Sequence, residues 1–147
     1  MDVLSDFKDS LIFEVQKEFW NERGKGARYR LTMIGADFLG KLLTDPSDMD
    51  EIIALYKKEG FCSAAEIEED EFAVTMKVKG CAFKSVRDGF MNKGQQPLSC
   101  LLANAVMRAI EIKSGLGPEL LPVEADGGEC VVGMGKIGTS EVLKVSS

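Results

Sequence analysis

Apolar residues recur at steps of three and four through the first 43 positions of the chain. Leu4, Phe7, Leu11 and Val15 form one stripe, which Phe19 extends. That spacing predicts an amphipathic helix ending before "RGKG". Asp2, Asp6 and Asp9 place negative charge near its start, where the helix dipole favours it. A second stripe, Leu31, Ile34, Phe38 and Leu42, predicts a helix over roughly 29–43 with that face on the core. Gly35, Ala36 and Gly40 lie inside it. An interior glycine costs about 1 kcal/mol against alanine, so close packing against another element or a ligand is expected there.

The third helix is marked by its ends. "TDPSDMDEIIALYKKEG" offers Asp45 as N-cap, Pro46 at the first helical position and Asp48 at the third. Lys57 and Lys58 suit the last turn, and Gly60 suits the residue after it. The period then changes to two. Phe72, Val74, Met76 and Val78 alternate with polar or small neighbours, the pattern of a half-buried strand. A partner strand over 61–68 precedes it across the acidic turn at Glu69 and Asp70. Gly80 reads as a kink or an end, with "CAFKSV" continuing the strand and its faces exchanged.

"PLSCLLANAVMRAIEIKSG" follows, opened by Pro97 and closed by Gly115, as the fourth helix. "ELLPVEA" and "ECVVGMGKI" flank Asp-Gly-Gly and read as a closing hairpin. Gly133 and Gly135 fall on one face of its last strand, where something approaches closely or the strand bends. The expected order is ααα-ββ-α-ββ. It predicts an α+β fold with helices packed on one face of a small antiparallel sheet of about four strands. The length, 147 residues, suits one domain. Residues 1–25 form its N-terminal helix, a candidate dimerising element, and 138–147 a Ser-rich tail expected to fray.

Charge narrows the function. The net charge is −6, which argues against nucleic-acid binding. "RGKGARYR" (Arg23 to Arg30) is basic, but in an acidic chain it reads as a solvated loop between two helices. The start lacks the basic, apolar layout of a secretory signal, and no stretch approaches the ~18 apolar residues of a membrane span. A cytoplasmic location is expected, with Cys62, Cys81, Cys100 and Cys130 as thiols or metal ligands and not as disulfides. The chain has no histidine. Ser-His and Cys-His catalysis are therefore excluded, leaving cysteine, lysine and carboxylates.

Cys100 then becomes the residue to explain. On a helical wheel it borders the polar stripe of Asn104, Arg108 and Glu111. In a first helical turn the dipole favours a thiolate, which is both nucleophile and metal ligand. Free cysteine is also among the most buried residue types, so a core role stays open beside those two. Glu124 and Cys130 flank the Asp-Gly-Gly turn. With Cys100 they make a partial zinc set, and Cys81, Glu129 or Asp126 could complete it.

Four stretches resemble one family: "IGADFLGKLL", "DMDEIIALYKKEGFCSAAEIEED", "PLSCLLANAVMRAIEIKSG" and "LLPVEADGGECVVGMGKI". Together they span roughly 29–137, and they look like the 4-vinyl-reductase or hydrocarbon-binding domain, which shares its fold with trafficking-complex subunits. The resemblance implies a zinc held by Cys100, Glu124 and Cys130; the family's middle cysteine has no counterpart in "EADGGEC". It also implies a pocket between helices and sheet for a small apolar or aromatic molecule. Phe38, Leu42, Phe72, Val74, Met76, Phe83, Leu101 and Met107 are the residues expected to line it. The leading expectation is a homodimeric ligand-binding sensor with a structural zinc. The alternatives are a hydrolase using Cys100 and a protein-interaction scaffold.

Overall fold

The computed structural model describes residues 3–22, 25–97, 99–115, 117–126 and 128–136. Three helices come first: α1 (Val3–Glu22), α2 (Lys25–Gly40) and α3 (Met49–Lys58). Strands β1 (Ala64–Glu69) and β2 (Ala73–Lys79) follow, then helices α4 (Lys84–Met91) and α5 (Ala103–Ser114). Strands β3 (Glu119–Leu120), β4 (Glu124–Asp126) and β5 (Glu129–Gly135) close the chain. The expected α+β class holds. No helix among the described residues is long and apolar enough to cross a membrane. The tail at 138–147 lies outside the described residues.

The sheet is antiparallel, in the order β1-β2-β5-β3 with β4 also on β5. β2 pairs with β5 along its whole length, so the two short strands share β5's other edge. Register decides the buried face. Val74, Met76 and Val78 lie opposite Met134, Val132 and Cys130, and all six are buried. Helices α3 and α5 cover this face with Ile52, Ile53, Tyr56, Leu102, Val106, Ala109 and Ile110. Tyr56 is the polar exception in that layer. Its hydroxyl donates to the Leu102 carbonyl at 2.6 Å, and its ring stacks on Phe61 at 5.3 Å. Burial pushes its phenol well above the usual value.

Two helical faces are the reverse of the sequence expectation. On α2, Thr32, Ala36 and Leu39 are buried, while Ile34 and Phe38 are 68% and 63% exposed and Leu42 is also exposed. The reason is close approach. A Cβ on Gly35 would meet Asn104 Nδ2 of α5 at 2.8 Å. The small-residue face therefore packs, and the bulky residues are left outside. On α1, Phe7, Leu11 and Val15 are exposed. Phe13 packs on Phe90 of α4, its centroid 4.6 Å away, over Gly89, whose missing Cβ leaves room for the ring. Asp9 accepts from Ser85 in the same interface.

Three boundaries also move. Helix α3 is capped by Asp48, which accepts from the backbone of Asp50 and Glu51, and not by Asp45. Asp45 instead turns the chain by accepting from Ser47. Glu51 reaches back to the N–H groups of Thr44 and Asp45, so the two acids together satisfy donors before and inside the first turn. "CAFKSV" leaves the sheet: Gly80 adopts a φ of 66° and packs on Ser63, and α4 begins three residues after Cys81. "RGKGARYR" is mostly helix, since α2 starts at Lys25.

Gly35→Ala is expected to lower stability by about 1–3 kcal/mol, the usual cost of overpacking. Gly40→Ala meets nothing within 4 Å and should be neutral or stabilising. Urea midpoints of the two variants check this; equal midpoints would remove the steric account of α2.

The acid limb has a defined source. The N–H groups of Asp45 and Thr44 hold the Glu51 carboxyl below its ordinary 4.5. Ser47 lowers Asp45, and the N–H groups of Phe72 and Ala73 lower Asp70, both from 3.8. A carboxyl depressed in the fold stabilises fully above its unfolded value, and the contribution is lost as pH falls through the folded one. Glu51→Gln should therefore be less stable than wild type at pH 7. The gap should close as pH drops below 4.5. Denaturation midpoints across that range test the sign.

Candidate functional site

A cavity lies where α1, α4, the segment before α5, and β5 meet. Its wall comprises Gln16, Cys81, Phe83, Val86, Arg87, Pro97, Ser99, Cys100, Leu101, Leu102, Val123 and Cys130. Counting its open mouth, the unfilled space is about 390 Å³; the free interior is about 30 Å³. An interior of that size is room for one or two water-sized groups. Phe83, Leu101 and Cys81 are half-buried, whereas Leu102, Val123 and Cys130 are buried.

Sequence explains how the wall is held. α4 turns its Phe83, Val86, Arg87 and Phe90 positions inward at helical spacing. Pro97 begins the run leading to α5, which becomes helical only at Ala103. Gln96 fastens this run to the far strands. Its amide accepts from Val123 N at 2.7 Å and donates to Val123 O at 3.3 Å, in the manner of a strand partner. On the other side Ser99 N donates to Gln16 Oε1 at 3.1 Å, and the Ser99 hydroxyl donates to Asn104 Oδ1 at 3.0 Å.

Polar groups in this wall are few and deeply placed. Gln16 is 1% exposed. A backbone N–H can only donate, so the Ser99 contact fixes which end of the Gln16 amide is oxygen. The Nε2 end has no hydrogen-bond partner among the described residues. A buried donor left in that state costs about 1–3 kcal/mol. Arg87 is buried but remains charged. Against the cost of its burial, a hydrogen bond to Cys130 and the Asp88 carboxylate hold its proton. Its guanidinium meets Asp88 Oδ1 at 3.1 Å from both Nε and Nη2.

Burial holds two of the wall thiols, Cys100 and Cys81, in their neutral form. Cys100 as a residue is half-buried, but its sulfur is enclosed. Burial pushes its thiol up to about 12, against the opposing pull of the Ala103 N–H. Burial also raises Cys81, whose sulfur accepts from Phe83 N at 3.4 Å. Cys62 lies in the core and is likewise raised by burial. The dipole argument for a Cys100 thiolate fails because α5 starts at Ala103, after Cys100. Desolvation then acts with no full helix terminus to offset it. This geometry does not supply the activated nucleophile that a Cys100 hydrolase needs.

Of the expected zinc set, Cys100 and Cys130 meet at the cavity and Glu124 lies apart from them. Cys130 pairs with Ala125, and Glu124 pairs with Val131. Directly opposed residues share a face and neighbours alternate. Glu124 therefore points away from the face that carries Cys130, and so does Glu129. Among the described residues, no group of three His, Cys, Asp or Glu is arranged to hold a metal ion. Cys100 and Cys130 share the cavity; Glu124 is exposed outside it.

Of the expected ligand-binding residues, Phe83 and Leu101 line the cavity. Val74, Met76 and Met107 are buried in the core cluster. Phe38 and Leu42 point outward from α2, and Phe72 is exposed at the β1–β2 turn. Gln16 and Arg87 were missed. The missed signal was the second face of α1, where Phe13 and Gln16 follow one another at helical spacing.

No protein-family model, no curated protein and no solved structure matches this chain.

All four thiols should resist iodoacetamide at pH 8 in the folded protein and react in 8 M urea, on the order expected for desolvated and free thiols respectively. Peptide mass mapping checks this. Rapid labelling of Cys100 without denaturant would overturn its assignment as a neutral wall residue.

Proposed function

We propose that the chain is a small-molecule-binding module, related to the 4-vinyl-reductase or hydrocarbon-binding domain, whose ligand sits in the cavity between α1, α4 and β5. The observation that carries this reading is the wall itself. Aliphatic and aromatic side chains and thiols surround a few polar atoms, the composition of small-molecule sites. Burial raises the Cys100 and Cys81 thiols, which supports binding over turnover at those two residues. Reduced thiols in the wall suit a cytoplasmic setting.

The same reading includes a homodimer. Phe7, Leu11 and Val15 on α1, Ile34 and Phe38 on α2, and Leu42 just past its end are all exposed. An apolar surface of that extent on a monomer marks an interaction site. Two copies meeting through it would cover the same six residues on each side, as a two-fold interface requires.

The ligand test uses ethylbenzene. At roughly ten times its Kd, a binder of the native state adds about 1.4 kcal/mol, or roughly 3–6 °C in Tm for a chain of this size. Leu101→Trp, which fills the mouth, should abolish the shift. No shift in wild type with ethylbenzene, or with acetophenone or benzoate in its place, up to the solubility limit would sink the binding reading. For the dimer, native mass spectrometry should give twice the chain mass in wild type and the single mass in Phe38→Glu. A wild-type monomer at tens of micromolar would remove the dimer.

A further inference from the structure

The cavity wall carries a polar group that its own packing does not use. Gln16 sits on α1, and its oxygen is committed to the Ser99 N–H at 3.1 Å. That contact turns Nε2 the other way, where it has no partner among the described residues. The amide orientation is forced, because Ser99 N cannot accept. The Ser99 hydroxyl donates to Asn104, and the Arg87 guanidinium meets Asp88. Among the described residues Gln16 Nε2 is the buried side-chain N–H without a partner, and it is neutral.

We propose that the site selects small neutral carbonyl compounds, with Gln16 Nε2 donating to the carbonyl oxygen. This rests on the ligand-binding reading above and names its substrate class. Three observations set the class. The free interior of about 30 Å³ takes an oxygen and the carbon that bears it, and little more. The rest of the molecule lies in the mouth against Phe83 and Leu101, which are half-buried and apolar. The guest is uncharged, since Asp88 already answers Arg87; a carboxylate would enter a mostly apolar wall whose cation is already paired. A hydrocarbon of the same shape would leave the Gln16 donor unpaired, and sites that hydrogen-bond a guest reject analogues lacking the partner atom.

The test compares acetophenone, ethylbenzene and benzoate by calorimetric titration of the full chain. Acetophenone should bind roughly tenfold or more tighter than ethylbenzene, the discrimination one buried hydrogen bond supplies. Benzoate should bind more weakly than acetophenone. Gln16→Met should bring the acetophenone-to-ethylbenzene ratio near one. Gln16→Glu serves as the second variant. It keeps an oxygen for the Ser99 N–H and loses the amide donor, so the preference should vanish there too while the melting curve stays cooperative. Equal binding of acetophenone and ethylbenzene to wild type overturns the proposal and leaves the binding reading standing. So does a preference that survives in both variants. Tighter binding of benzoate than acetophenone overturns the neutral class. Binding of none of the three overturns the binding reading itself, and the carbonyl proposal with it.

Discussion

The arrangement of this fold hangs on one buried side chain, Asn104. It is almost fully enclosed in α5 and must satisfy its amide inside the protein. Its oxygen accepts from the Ser99 hydroxyl, and its nitrogen faces the Leu31 carbonyl of α2 at 3.5 Å. Ser99 in turn donates its N–H to Gln16 of α1. Three helices and the segment before α5 are thus joined through a single polar chain. A chain of this kind fixes the mutual placement of the elements it joins.

The rest follows from that placement. Asn104 can reach α2 only because Gly35 has no side chain in its way. That approach selects the small face of α2 as the buried one, and Ile34, Phe38 and Leu42 are turned outward as a result. It also draws Gln16 under the loop at Ser99, which brings α1 to the rim of the cavity. The outward apolar residues and the inward polar atom of the site are two results of the same packing choice. The hydrophobic effect drives collapse without direction; here the direction comes from hydrogen bonds that must be made.

This also explains what could be read from the sequence. The class, the β1–β2 hairpin, the β5 strand and helix α3 were legible, because period-two and period-3.6 patterns there coincide with actual burial. The alternation of Val74, Met76 and Val78 is the clearest case. Helices α1 and α2 were legible as helices but not in orientation. Each has a bulky apolar stripe and a second face of small or mixed residues, and periodicity favours the bulky one. "CAFKSV" reads as a continuation of β2 past Gly80, and the helical spacing of Phe83, Val86, Arg87 and Phe90 stands out only once the burial of the arginine is known. Of the site, Cys100, Cys130, Phe83 and Leu101 were found and Glu124 misplaced. Proximity across a hairpin was legible there, but the face was not, since one residue of register reverses it. Gln16 lies 83 positions before Ser99, and no local pattern carries a pairing of that span.

The rim of the cavity is closed by an unusual fastener. Gln96 grips both the N–H and the carbonyl of Val123, so one flexible side chain does what a rung of sheet does elsewhere. A true strand would gain support from neighbouring rungs and separate only when the ladder does. A single side-chain clasp can release alone. The wall can therefore part between Gln96 and Val123 while Ser99 stays tied to Gln16 and Leu102 to Tyr56. Entry to the interior becomes a local event, and its frequency is written in how fast the Val123 amide exchanges its hydrogen with water.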